Sequence, residues 1–138
     1  MRAEKIALRL IARAEQCTGG LRRKLERRKC DPNYIDIVID RLCELGLLDD
    51  RRFSRLWLES RLRLPRSPLR LLAGLCSRGI ERDDAEAAIK DVLNEDTEYA
   101  LLLRFVRKKL RKTEEKNLKF LLRNEGFSSV VIKRYFEN

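Results

Sequence analysis

The chain has 138 residues, of which 43% are hydrophobic, so it is long enough and apolar enough to bury a core. Its 32 basic residues outnumber 22 acidic ones, and the net charge of +10 predicts an acidic partner, either nucleic acid or an acidic protein surface. The sequence contains no histidine, which removes the commonest general base and the commonest metal ligand.

The four cysteines are Cys17, Cys30, Cys43 and Cys76. None of them form a C-x-x-C pair, so we expect neither a zinc site nor a disulfide framework, but buried small apolar residues in a reducing cytosol. The opening stretch MRAEKIALRLIARAE carries a charge every few positions, unlike a signal peptide, and no run approaches the ~18 apolar residues of a membrane span. We therefore predict a cytoplasmic protein with no membrane partner.

Apolar residues recur at intervals of three and four, which predicts helices throughout, and strand alternation is sustained nowhere. Asp31 and Ser67 each precede a proline and are predicted to cap helices, whereas Gly46, Gly79 and Gly126 are predicted to end them. Further candidate N-caps are Thr18, Asp50, Asp96, Thr113 and Ser128. We predict helices near 3–16, 19–29, 32–45, 50–63, 68–78, 82–93, 97–111, 114–124 and 129–137.

The nine predicted helices fall into three groups of three, because one apolar pattern recurs at intervals of about 47 to 50 residues. A three-helix group buries little surface alone, so neighbouring groups must share core. We predict an all-α fold of three tandem three-helix repeats in an elongated array, with boundaries at 1–46, 47–94 and 95–138. In the middle helices, Leu21, Leu25 and Cys30 align with Leu71, Leu75 and Ile80, and with Leu118, Leu122 and Phe127. The central leucine of each set is predicted to be buried.

Basic and acidic residues are separated along the chain. Residues 51–78 carry eight basic residues against Glu59, whereas residues 81–93 carry five acids and two basic residues. Residues 104–112 carry six basic residues and no acid. This separation predicts one basic side and one acidic side to the array.

Several segments together resemble the bacterial RecX family. They are ALRLIARAE, LRRKLERRKCDPNYIDIVIDRLCELGLLDDRRFSRLWLESRL, RLLAGLCSRGI and FLLRNEGFSS, in this order. The most specific piece is LGLLDDRRF, from Leu45 to Phe53, followed by SRGI at 77–80 and EGFS at 125–128. The resemblance covers nearly the whole chain. One departure is that Asn124 and Glu125 stand where relatives commonly carry a basic pair.

The resemblance implies a modulator of the RecA recombinase built of three tandem three-helix units. Such proteins are expected to lie in the groove of the RecA–single-stranded DNA filament. There they would suppress ATP hydrolysis, strand exchange and the co-protease activity that triggers the SOS response. We expect a monomer that also binds single- or double-stranded DNA weakly and non-specifically.

Twelve basic side chains are predicted to form the surface that binds RecA or DNA. Four lie in the basic run of the second helix, where Leu21 and Leu25 would hold that helix to its neighbours. The others follow in the second and third groups. The full set is Arg22, Arg23, Arg27, Arg28, Arg61, Arg63, Arg70, Arg78, Arg104, Arg107, Lys108 and Arg111.

Other side chains have simpler structural interpretations. The acidic pair of Asp49 and Asp50 could suggest a metal or acid–base site, but Asp50 as an N-cap with Asp49 beside the positive helix end explains it. Phe53 and Trp57 lie four apart and could stack on bases, although a core face is the preferred interpretation. The sequence contains no glycine-rich phosphate loop and no nucleophile with a partnered base, so we predict neither an enzyme nor a cofactor.

A second class of function stays open, since three-helix units resemble helix-turn-helix domains and a basic module could act on DNA directly. A recognition helix would need Asn, Gln or Arg near its start. Only Asn33 and Arg82 meet that need, and the acids that follow Arg82 would repel phosphates. The sequence therefore favours a protein-binding regulator over a reader of DNA sequence.

Overall fold

The computed structural model describes residues 2–109 and 115–137, which form nine α-helices and no strand. The predicted all-α class is confirmed. The helices are α1 (Arg2–Arg13), α2 (Thr18–Arg27), α3 (Pro32–Glu44), α4 (Asp50–Arg61), α5 (Pro68–Arg78), α6 (Arg82–Val92), α7 (Glu95–Lys109), α8 (Glu115–Glu125) and α9 (Ser129–Glu137).

The most extensive contacts between helices lie within α1–α3, within α4–α6 and within α7–α9, which we call groups 1, 2 and 3. In groups 2 and 3 the third helix, α6 or α9, makes the most extensive contacts, and each middle helix contributes a leucine to the core. Leu25, Leu75 and Leu122 are fully buried there, as their alignment predicted. The middle helices also end alike, because in each one the backbone N–H five residues after this leucine donates to the leucine carbonyl at 3.2 Å.

Among the described residues, the buried apolar side chains form two clusters and not three. One belongs to group 1 and includes Leu48, which lies just beyond the predicted boundary at position 46. The other runs through groups 2 and 3, where Leu58 and Leu75 belong to the same cluster as Leu102 and Leu122, and it also includes Cys17 at the start of α2. Groups 2 and 3 therefore share a continuous core. The boundaries at 46 and 94 stay predictions.

Two predicted N-caps are confirmed by their hydrogen bonds. Asp31 Oδ1 accepts the Asn33 N–H at 2.9 Å at the start of α3. Ser67 Oγ accepts the Arg70 N–H at 3.2 Å at the start of α5. Both helices have proline in their first turn, where the missing N–H leaves no hydrogen bond unmade.

Other predicted N-caps are wrong by one or two residues. Cys17 and not Thr18 caps α2, and Asp49 and not Asp50 caps α4, where it accepts the Arg52 N–H at 3.1 Å. Asp50 instead accepts the backbone N–H and the hydroxyl of Thr18, at 2.8 and 2.7 Å. The role of Asp50 thus depends on a contact between groups, which helical spacing along the sequence cannot predict.

The start of α7 is also shifted. Asn94 accepts the Thr97 N–H at 2.8 Å, so Asp96 lies inside the first turn and does not cap the helix. Ser128 directly precedes α9, as predicted, and its N–H and hydroxyl both donate to Glu98. The candidate at position 113 lies outside the described residues.

Helix α1 ends at Arg13, three residues before its predicted end at position 16. The reason is the buried side chain of Gln16. Its amide N–H groups donate to the carbonyls of Leu10 and Ala14, at 3.1 and 3.3 Å, and its carbonyl accepts from Lys24 at 2.8 Å. Gln16 therefore satisfies the end of α1 from outside the helix.

The middle helices meet end to end across the group boundaries. The first turn of α2 touches the end of α5, where a Cβ added at Gly19 would lie 2.2 Å from the carbonyl oxygen of Gly79. The start of α5 touches the end of α8, where a Cβ added at Gly126 would lie 2.3 Å from the Cβ of Leu69. Gly79 and Gly126 also have left-handed φ values of +111° and +116°. Glycine is therefore required at both positions for two reasons, the backbone conformation and the lack of space for a Cβ.

Equivalent hydrogen bonds close these two contacts. The N-cap of α2, Cys17, donates its thiol to the carbonyl of Arg78 at 3.1 Å. The N-cap of α5, Ser67, donates its hydroxyl to the carbonyl of Glu125 at 2.8 Å. Burial raises the pKa of the Cys17 thiol, so the thiol keeps the proton that it donates. We call each such contact, a helix N-cap on the residue before a C-terminal glycine, a junction.

Within the described residues, no helix N-cap contacts the C-terminal end of α2. Lys29 occupies the position that matches Gly79 and Gly126, and it adopts a left-handed φ of +58°. The carbonyl of Arg28, which matches the two accepting carbonyls of the junctions, accepts instead from the guanidinium of Arg2 at 2.9 Å. The donor therefore comes from α1 of the same group.

All four cysteines are free thiols. Cys17 and Cys30 are buried, Cys76 is half-buried and Cys43 is exposed. The prediction of burial is wrong for Cys43, because its neighbour Leu42 takes the core-facing position of α3.

Replacing any of the three matched leucines with alanine should lower the free energy of unfolding by about 2–5 kcal/mol, because each leaves a cavity in a packed core. The variants are Leu25→Ala, Leu75→Ala and Leu122→Ala. Leu45→Ala is the matched control, since Leu45 is 62% exposed. Urea unfolding followed by circular dichroism measures the differences. Three variants as stable as the control would refute the repeat alignment.

Replacing Gly19 with alanine should destabilise the protein, although alanine favours helix over glycine by about 1 kcal/mol. The added Cβ would collide with the Gly79 carbonyl and force the two backbones apart. The matched control is Gly46→Ala, where φ is +74° but no atom lies within 4 Å of the added Cβ. Urea titration should show a larger loss of stability for Gly19→Ala, and the reverse order would contradict the junction.

Candidate functional site

The basic run of α2 is partly engaged within the structure. Arg22 is half-buried and forms an ion pair with Asp36 of α3 at 2.5 Å. Arg23 reaches across the first junction and donates to the carbonyl of Ser77 at 2.8 Å. Its charge lies beside the negative end of the α5 dipole, which is a stabilising position for a cation. These two predicted site residues therefore hold the structure together as well as adding positive charge.

Two more predicted site residues connect groups 2 and 3. Arg70 forms a forked ion pair with Glu125, with N–O distances of 2.9 and 3.4 Å. Arg104 of α7 donates to the carbonyl of Leu62, the C-cap residue of α4. Glu125, where the resemblance leads us to expect a basic residue, thus has a structural partner in the second junction.

Arg61 lies over the indole ring of Trp57, with 5.1 Å between the guanidinium carbon and the ring centroid. Trp57 packs against the shared core of groups 2 and 3, together with Phe53, so the preferred interpretation as a core face is confirmed. Gly74 allows this packing, because a Cβ there would lie 2.4 Å from the ring. The Trp57 indole N–H is buried and makes no hydrogen bond to the described residues.

The remaining described residues of the predicted set share one property. Their side chains are exposed and make no hydrogen bond or ion pair with the parts of the chain that the structure describes, so their charge is available to a partner. They come from all three groups. These residues are Arg27, Arg28, Arg63, Arg78, Arg107 and Lys108. The twelfth predicted residue, Arg111, lies outside the described residues.

The two residues considered for reading DNA bases have different surroundings. Asn33 is exposed in the first turn of α3. Arg82 pairs with Glu86 at 3.0 Å on the same helix, and this partner raises the pKa of Arg82. Arg82 is therefore followed by acids and bonded to one, an arrangement that disfavours contact with phosphate.

A cleft between α4 and α6, which the sequence did not predict, has a volume of about 1040 Å³. It is lined by charges of both signs and by the small side chains of Ser54, Ala87 and Ala88. Arg51 and Arg55 recur at the helical interval of four, but sequence spacing cannot show that they lie beside the acids of α6. The lining residues are Asp49, Asp50, Arg51, Arg52, Ser54, Arg55, Glu59, Leu62, Asp84, Ala87, Ala88, Asp91 and Val92.

Residues 2–109 and 115–137 contain neither a metal-binding cluster nor a membrane-spanning helix. No group of three or more cysteine, aspartate and glutamate side chains in these ranges is arranged to hold a metal ion. None of the helices described there is both long enough and apolar enough to cross a membrane.

Sequence profiles of one family match most of groups 1 and 2. The profile described as RecX, first three-helix domain, matches residues 3–42. The profile described as RecX, second three-helix domain, matches residues 49–89. Together they cover more than half of the chain.

Curated relatives extend the match to the third group. The chain is 34% identical over 134 residues to the regulatory protein RecX of Treponema pallidum, spanning 96% of this chain and 82% of that protein. It is 35% identical over 141 residues to that of Thermobifida fusca, spanning 96% and 76%. With the protein of Halorhodospira halophila it is 41% identical over 92 residues, a match that covers 67% of this chain and about half, 54%, of that relative's length.

Solved structures share the fold. The crystal structure of RecX from Lactobacillus salivarius superposes with a TM-score of 0.82, covering 99% of this chain and 93% of that one, at 17% sequence identity. A second crystal structure of a regulatory protein RecX gives the same score and identity, and 71% of its chain is covered. At this identity the superpositions establish the fold, and the sequence matches establish the family. The chain belongs to the RecX family of regulatory proteins.

Proposed function

We propose that this chain inhibits the RecA recombinase by binding in the groove of RecA–single-stranded DNA filaments. It would suppress ATP hydrolysis, strand exchange and the co-protease activity that triggers the SOS response. The observation that carries this proposal is the family membership, which rests on sequence identity along nearly the whole chain. We propose further that it acts as a monomer in the cytoplasm, with no cofactor and no catalytic step of its own.

The placement of the available charges supports a multivalent contact. Arg27 and Arg28 lie in group 1, Arg63 follows α4 of group 2, and Arg107 and Lys108 lie in the last turn of α7. A contact made by one group raises the effective concentration of the other two at the filament. Several weak contacts can then add up to tight binding without any single strong site.

The junctions would hold these contacts at fixed separations. Groups 2 and 3 share a core, and group 1 is joined to group 2 by backbone contact at Gly19 and Gly79. A rigid ligand loses less conformational entropy on binding than a flexible one. A chain that bridges neighbouring protomers in this way would oppose the rearrangements that accompany nucleotide hydrolysis.

A second candidate function is a basic DNA-binding module that acts on DNA directly. The observation that favours it is the set of exposed arginines and lysines without partners, in a chain with a net charge of +10. Binding of this kind would be weak, non-specific and dependent on salt. It can coexist with filament binding, so the two functions need separate measurements.

At equimolar amounts the protein should strongly suppress DNA-dependent ATP hydrolysis by its cognate RecA, because a bound array restrains neighbouring protomers. Titration of the steady-state hydrolysis rate tests this, with strand exchange measured in parallel. Inhibition at substoichiometric amounts would indicate action at filament ends, and inhibition only near equimolarity would indicate filling of the groove. If both activities are untouched at equimolar protein, the DNA-binding module becomes the better description.

Binding of the isolated protein to single-stranded DNA should weaken with salt, and the double variant Arg27→Gln/Arg28→Gln should have a shallower dependence. Each phosphate contact contributes about −0.7 to the slope of log K against log salt, so two lost contacts change it by about 1.4. Fluorescence anisotropy at several salt concentrations measures the slope.

The matched control is Arg82→Gln/Arg134→Gln, which removes the same charge from two arginines already paired with carboxylates. Its slope should remain that of the unmodified chain. An unchanged slope in the Arg27→Gln/Arg28→Gln variant would move the DNA contact elsewhere, first to Arg107 and Lys108 at the end of α7.

A further inference from the structure

The α4–α6 cleft exposes charges that nothing in the described structure neutralises. Arg51 and Arg55 line it from α4, and Asp84 and Asp91 line it from α6. Glu59 adds a further carboxylate on the α4 side. All five side chains are exposed, and none of them forms an ion pair with any residue in 2–109 or 115–137. Opposite charges therefore line one cleft without meeting across it.

The mixture of signs indicates the class of ligand. A nucleic-acid strand carries one negative charge per nucleotide, so it could pair with Arg51 and Arg55 but would be repelled by Asp84 and Asp91. A small molecule would more commonly occupy an apolar pocket with a few polar groups, whereas this cleft is lined by charges from both helices. A protein segment can supply acidic and basic side chains together, and complementary charge is a common source of specificity between proteins.

The cleft has small side chains on both of its helices. Ser54 of α4 and Ala87 and Ala88 of α6 have small side chains, so a partner backbone can approach closely between the two walls. Asp84 and Asp91 are seven residues apart on α6, which places them about 10.5 Å apart along the helix axis on one face. That spacing is close to two turns of a partner helix lying alongside, which span about 10.8 Å.

We propose that the α4–α6 cleft binds a helix of a partner protein that presents basic side chains to Asp84 and Asp91 and acidic side chains to Arg51 and Arg55. This inference rests on the proposed function, because the partner is then a protomer of the RecA filament. It assigns the protein contact to group 2 and leaves the exposed arginines and lysines of the predicted set for DNA. The cleft would decide where on the filament the array binds.

The test is binding to RecA filaments assembled on single-stranded DNA, measured by co-sedimentation beside anisotropy on bare single-stranded DNA. Asp84→Lys should weaken filament binding by about tenfold or more, because a charge that paired with the partner now repels it. Its binding to bare DNA should be retained or increased. Ala87→Trp, which fills the cleft without altering charge, should also weaken filament binding and leave DNA binding unchanged.

The matched control is Asp83→Lys. This variant makes the same charge change in the same first turn of α6, but Asp83 does not line the cleft. Its affinity for filaments should fall much less than that of Asp84→Lys, since only the screened long-range charge effect remains. Thermal melts of the three variants verify that each is folded.

The outcomes separate the cleft from the proposed function. If the unmodified chain binds filaments and both Asp84→Lys and Ala87→Trp bind equally well, the cleft is not the docking site and the proposed function stands. If Ala87→Trp weakens binding to bare DNA, the cleft serves nucleic acid and the inference is wrong. If the unmodified chain binds no filament at all, both proposals fail together.

Discussion

The structure depends on a backbone contact that only glycine permits. At the first junction the start of α2 lies on the end of α5, and a methyl group at Gly19 or Gly79 would occupy the space of the opposing backbone. The contact places the N-terminal end of one helix dipole against the C-terminal end of another, which is electrostatically favourable. Asp50 and Cys17 then add side-chain hydrogen bonds across the boundary. Group 1 keeps its own core, so this junction carries much of its attachment to group 2.

Many of the positive charges have two roles. Surface ion pairs contribute little stability individually, about 0–1 kcal/mol, so Arg70 with Glu125 is better regarded as fixing an orientation than as supplying much energy. Arg23 and Arg104 bond to carbonyls at helix ends, where a cation also compensates the dipole. A strongly basic composition therefore overstates the surface that is available to an acidic partner.

The features that the sequence predicted correctly are those that depend on residues close together along the chain. The spacing of Leu25, Leu75 and Leu122 predicted their burial, because helical periodicity depends on neighbouring residues alone. The caps of α2 and α4 were misplaced because Thr18 and Asp50 bond to each other across 32 positions of the chain. The α4–α6 cleft was missed for a similar reason, since its walls depend on how two helices pack. The sequence could name twelve basic residues as candidates for binding a partner. It could not show which of them form bonds to other residues within the fold.

The end of α2 limits how far the series of groups can extend. A head-to-tail contact that repeats without a stop generates an open fibre. At Lys29 a side chain and a positive charge stand where a further helix N-terminus would have to approach, and Arg2 already donates to the carbonyl that such a helix would need. Terminal repeats of solenoid proteins end their arrays with an atypical outer face in the same way. At the end of α2, Lys29 and Arg2 therefore oppose polymerisation through the same kind of junction that joins the groups within the chain.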